Sequence, residues 1–151
     1  MRHLTCALIL TAAGVLAGCN SQATLDGTTA VTGKVLYNGA PVEGATVTFT
    51  PSGEGRAASG RTDAAGQFQL TTLTASDGVL PGAYNVAISK TEVQGALTGE
   101  AAQAYFEEHN APPKVKTTDL LPAKYKTPKT SELTATVSEG GENAFTFELT
   151  D

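Results

Sequence analysis

The run ATVTFT, residues 45–50, constrains this chain more than any other stretch. Successive side chains of an extended backbone point to opposite faces. Ala45, Val47 and Phe49 therefore take one side, and Thr46, Thr48 and Thr50 the other. The same period of two returns in residues 83–89, where Tyr84, Val86 and Ile88 alternate with Asn85, Ala87 and Ser89. It returns again in residues 30–37, where Val31, Gly33, Val35 and Tyr37 share a face opposite Thr32 and Lys34. Leu133, Ala135 and Val137 repeat it near the end, as do Phe145, Phe147 and Leu149. Short strands are also expected over 57–62 and around Phe68 and Leu70. Turn signals divide these runs: Asn38-Gly39, Pro41 to Gly44, Asp63 to Gly66, Gly78 to Gly82 and Gly140-Gly141. Many Thr and Val, 16 Gly and no Trp agree with an all-β chain. Six or seven short strands predict a sandwich with one apolar face per sheet.

One segment breaks the rhythm. Residues 91–128 are too long for an ordinary connection, and GEAAQAYFEEHN (99–110) is rich in helix formers. Ala101, Ala104, Tyr105 and Glu108 fall at helical spacing, so a short amphipathic helix is expected, ending before Pro112-Pro113. Leu121 and Tyr125 are expected to dock on the sandwich while the neighbouring lysines stay in water.

The amino terminus carries an address. Met1-Arg2-His3 is basic, and Leu4 to Ala17 holds no charged residue. At about 1.5 Å per residue that run reaches roughly 20 Å as a helix, short of a ~30 Å hydrocarbon core. It reads as a secretory signal peptide over 1–18. Leu16-Ala17-Gly18-Cys19 resembles a bacterial lipobox, which implies cleavage before Cys19 and a lipid on its sulfur. The second cysteine, Cys6, would leave with the leader, so the mature chain is expected to hold no free thiol. Several acyl chains, palmitate-like, anchor far better than one, since each buried CH2 contributes ~0.8 kcal/mol. Asn20 is not the aspartate that favours inner-membrane retention, so the outer membrane of a double-membraned cell envelope is the expected site. Residues 19–29 read as a lipidated tether and 30–151 as the folded domain.

VTGKVLYNGAPVEGATVTFTP, then ASGRTDAAGQFQL, then GVLPGAYNVAISK, together resemble the carboxypeptidase regulatory-like, or transthyretin-like, domain. The ending LLPAKYKTPKTSELTATVSEGGENAFTFEL is similar to small lipoproteins of the planctomycete type. The resemblance implies a seven-stranded Greek-key prealbumin-like sandwich, with the helix in a long insertion before the last two strands. It implies accessory or surface roles rather than one activity.

Chemistry is sparse. Losing Arg2 with the leader takes the 10 Lys and Arg to nine against 15 Asp and Glu, a charge of −6. No basic track is long enough to suit nucleic acid. Past the leader the lone histidine is His109, expected to meet the last carbonyls of its helix. Without a second histidine or a free thiol, no activated nucleophile and no zinc site is expected. No cofactor is expected either. Asp63 is expected to cap its own turn, and a calcium site with Asp77 lacks the compact oxygen-rich run that ion needs. Transthyretin-like hydrolases carry N-terminal histidines and a Tyr-Arg-Gly-Ser ending, which this chain lacks. Lys34 and Asn143, in the first and last strands, raise the Lys–Asn crosslink of pilin-type adhesin repeats, though YNVAISK lacks the accompanying glutamate. The expected function is a non-enzymatic, lipid-anchored envelope protein with a structural or protein-interaction role. The alternative is a carbohydrate- or peptide-binding module using the insertion, with Tyr105 and Phe106 as its binding residues.

Overall fold

The computed structural model describes residues 25–75 and 77–151. The expected signal peptide with Leu16, Ala17 and Gly18, the expected lipidation residue Cys19 and most of the expected tether lie outside the described residues.

Two four-stranded sheets face each other. In the first, β1 (Val31–Tyr37) is central. It pairs in parallel with β10 (Asn143–Leu149), Val31 opposite Asn143 and Tyr37 opposite Leu149. Its other edge is shared by β2 (Ala40–Pro41) and β5 (Gln67–Gln69), both antiparallel to it. The second sheet runs β4 (Ala58–Arg61), β3 (Thr46–Pro51), β6 (Gly82–Ser89), β9 (Leu133–Val137), antiparallel throughout. Setting aside the two-residue β2, the sandwich has the seven strands expected.

Local chemistry sets the corners. Asn38 and Gly39 both take positive φ, 49° and 79°, which is the two-residue turn whose twist matches adjoining strands. Asp63 accepts the amides of Ala65 and Gln67 at 2.9 and 2.8 Å, capping its own turn as expected. The inward positions form one core. Val35, Val47, Phe49, Val86, Ile88 and Leu149 have no exposed surface. Phe49 lies at its centre, its ring 5.8 Å from Tyr84 and Phe145 and 6.1 Å from Phe147. Ala87, expected to face water, is buried: β6 is an interior strand, and the 3-10 turn Ala123–Lys126 packs against it. That turn also brings Tyr125 into the core alongside Leu121, and Lys124 and Lys126 remain exposed.

The insertion differs from expectation. Residues 91–119 form an arm in which β7 (Thr91–Gln94) pairs with β8 (Lys116–Asp119), and the chain between them carries α1 (Gly99–His109). The helix has the expected bounds, but none of its residues is buried, so it does not dock as an amphipathic helix would. The two strands escaped the sequence reading because TEVQ and KTTD are short, polar and exposed, with no apolar alternation to reveal them.

Candidate interaction surfaces

The arm sits at a defined end of the sandwich. Leading into β1, Thr29 exchanges both backbone hydrogen bonds with Val79, at 2.8 and 2.9 Å, just before β6 begins. The arm leaves after Ser89, at the far end of the same strand, and closes where the Leu120 amide meets the Lys90 carbonyl at 2.8 Å. Eight residues of strand, at about 3.3 Å each, put roughly 25 Å between the tether's arrival and the arm's base. Val93, Leu97, Phe106 and Val115 are exposed along this arm, and Leu120 at its base. Glu92, Glu100, Glu107, Glu108 and Asp119 outnumber Lys114 and Lys116, so the arm is acidic.

Tyr105 and Phe106 are both on α1 but do different things. Tyr105 is half-buried and stacks on His109, ring centres 4.0 Å apart, while Phe106 is 51% exposed. His109 Nδ1 lies 3.0 Å from the Tyr105 carbonyl oxygen, the C-terminal contact expected for it. The helix ends on Asn110, left-handed at φ 48°, whose amide donates to the Phe106 carbonyl. The two aromatic residues belong to an exposed helix, and neither is among the residues that line the larger clefts of the sandwich.

A second surface lies on the outer face of the first sheet. Outward positions stand in rows across it: Gln69, Thr32 and Ala144, then Gln67, Lys34 and Thr146. With Arg61 and Asp63 at the margin they line an open groove of about 560 Å³. Lys34 and Arg61 make no ion pair or hydrogen bond among the described residues, and the side chains of Thr32, Gln67 and Thr146 are likewise unengaged. The alternation of β1 already put Lys34 opposite Val35. The groove went unread because it needs β4, β5 and β10 brought beside it.

Three further titratable groups, Asp77, Tyr84 and Tyr125, are engaged with the backbone. Asp77 accepts the amides of Thr72, Leu73 and Thr74 at 2.7 to 2.9 Å, and these bonds, that of Thr74 foremost, hold its carboxyl below the ordinary 3.8. Among the described residues no three His, Cys, Asp or Glu gather as metal ligands. Burial raises the Tyr84 phenol, which donates to the Leu80 carbonyl at 2.8 Å. Hydrogen bonding from the Thr150 amide lowers that of Tyr125. Lys34 and Asn143 are not placed for a crosslink. In register Asn143 faces Val31 and Lys34 faces Thr146. The Asn143 amide is buried, bonded to Ser138 and Gly141.

A two-sheet sandwich with a capped Asp63 turn and a Tyr84 core strand defines an all-β sandwich domain. Residues 30–104 match the family described as the carboxypeptidase regulatory-like domain, and this part of the chain belongs to that family. No curated protein matches the chain. Among solved structures, it aligns with a 9R-lipoxygenase from Cyanothece PCC8801 at 11% identity and a TM-score of 0.38. That alignment covers 87% of this chain and 18% of the lipoxygenase. The chain thus spans less than a fifth of that structure, and a likeness so slight carries no argument. Among the described residues no helix is long and apolar enough to cross a membrane.

Proposed function

We propose that this protein is a lipid-anchored, non-enzymatic component of the cell envelope, held by Cys19 at the outer membrane, that acts by binding a partner protein through its arm. The arm's placement supports the reading. A short tether ends at Thr29, and the exposed apolar residues Val93, Leu97, Phe106 and Val115 lie at the opposite end of the sandwich. A tether at one end turns the arm away from the bilayer that holds it. Its acidic side chains match a partner surface that is apolar with a basic rim, and they disfavour an anionic lipid surface. A two-stranded ribbon with no buried residue is only marginally stable alone, so covering it stabilises the arm as well as the complex.

The test has two parts. In Cys19→Ser, lipid labelling is expected to vanish and the protein to move into the soluble fraction; unchanged membrane association defeats the anchor. A photocrosslinking residue at position 106 in intact cells is expected to capture one protein, and the same residue at position 148 is not. The captured protein, once purified, should bind the wild type more weakly as salt rises. Equal capture from both positions, or salt-indifferent binding, defeats the role assigned to the arm.

A further inference from the structure

We infer that the outer face of the first sheet is a binding groove for a carboxylate-bearing polysaccharide, with Lys34 and Arg61 taking the carboxylates. The site is separate from the arm and the lipid anchor, so it stands or falls independently of the proposed function.

Charge argues first. The whole chain carries −5, yet two unpaired cations border one groove. Lys34 is half-buried on the central strand β1, where Gln67 and Thr146 flank it in register. Its stem lies along the sheet while its ammonium has no counter-ion among the described residues, so an anion in the groove meets no competing charge there. The acidic residue at the margin, Asp63, has one carboxylate oxygen taken up by the amides of Ala65 and Gln67. Glu148, two residues beyond Thr146 along the same face of β10, marks where the cationic stretch ends.

Shape and hydrogen bonding then choose the kind of anion. The groove is open and runs across three strands, which suits an extended chain rather than a compact ligand. Phe68 and Phe145 reach its floor, but both pack into the core. The outward side chains that project into the groove are therefore polar or small rather than the apolar anchors that dominate protein–protein contacts. Thr32 and Thr146 hydroxyls and the Gln67 amide each both donate and accept, as sugar hydroxyls do, and are unengaged among the described residues. Carboxylates on alternate sugars would meet the Lys34 ammonium and the Arg61 guanidinium, the latter able to bind both oxygens.

Calorimetry on the detergent-solubilised full-length protein tests this with oligomers of galacturonate, mannuronate and guluronate. At least one is expected to bind, its methyl ester about tenfold or more weaker, since hydrogen bonds to charged groups are the strong ones. Lys34→Gln and Arg61→Gln should each weaken binding several-fold, and Lys116→Gln on the arm should not. Because a variant can be compromised in folding, amide shifts of the wild type during titration provide a second reading, expected at 32–34, 67–69 and 144–146. Failure of all three oligomers to bind overturns the inference. So do equal binding of acid and ester, shifts centred elsewhere, or polyglutamate binding as tightly as the best sugar.

Discussion

The Tyr37 hydroxyl donates a hydrogen bond to the Asp151 carboxylate, tying the turn after the first strand to the residue beyond the last. Asn38 Nδ2 donates to the other oxygen at 3.3 Å, and Lys124 Nζ donates to the Asp151 backbone carbonyl at 2.8 Å. The Tyr37 bond is the chief reason that the Asp151 carboxyl lies below its ordinary 3.8. The same bond is the chief reason that the Tyr37 phenol is raised. A carboxyl with a lowered folded pKa stabilises the fold fully above its unfolded value, and the benefit is lost as pH falls through the folded one. Tyr37→Phe is therefore expected to melt below wild type at pH 7, with the gap closing as the solution is acidified below pH 3.8. A gap that stays constant into strong acid contradicts this.

Gly78 and Gly27 have nearly the same positive φ, 84° and 82°, in different surroundings. A Cβ on Gly27 would meet nothing within 4 Å, whereas one on Gly78 would collide with the Thr29 carbonyl. Gly27→Ala should cost only the left-handed penalty, about 1–2 kcal/mol. Gly78→Ala should cost more and break the Thr29–Val79 pair, read as loss of hydrogen-exchange protection at both amides. Equal costs in urea titrations would mean that the bridge does not secure this end.

Two phenylalanines divide core from arm. Phe49 is fully buried among three aromatic rings, and Phe49→Ala should destabilise by about 3–5 kcal/mol. Phe106→Ala should change stability by no more than ~0.5 kcal/mol, as for an exposed substitution. A large loss at position 106 would mean that α1 packs on the body in solution.

The arm should also be removable. Its ends are hydrogen-bonded, Leu120 to Lys90, so replacing 92–118 with an Asn-Gly turn leaves β6 and the 3-10 turn that packs on it intact. The shortened protein is expected to unfold within about 1 kcal/mol of wild type. Differential scanning calorimetry checks this, and collapse of the transition would show that the arm is part of the folding unit.

How far the sequence could be read depended on where the apolar side chains were. Strands that turn one face to the core advertise themselves, and Val47, Phe49, Val86 and Ile88 were all legible for that reason. Leu121 and Tyr125, two large apolar residues in a lysine-rich stretch, were legible as docking groups. The arm strands bury nothing, and so their pairing left no periodic trace. The groove was half legible. Alternation gives the outward direction of Lys34, but that Gln67 and Thr146 stand beside it depends on pairings between distant strands, which one sequence does not reveal.

Because β1 lies between β5 and β10, the core of the first sheet stays incomplete until the ribosome has made the last strand. Contacts between chain ends form late, after the largest loop has been closed. On the proposed envelope role, that delay is useful: a polypeptide with nothing stable to unravel could be threaded through a narrow export pore and set into shape on the far side.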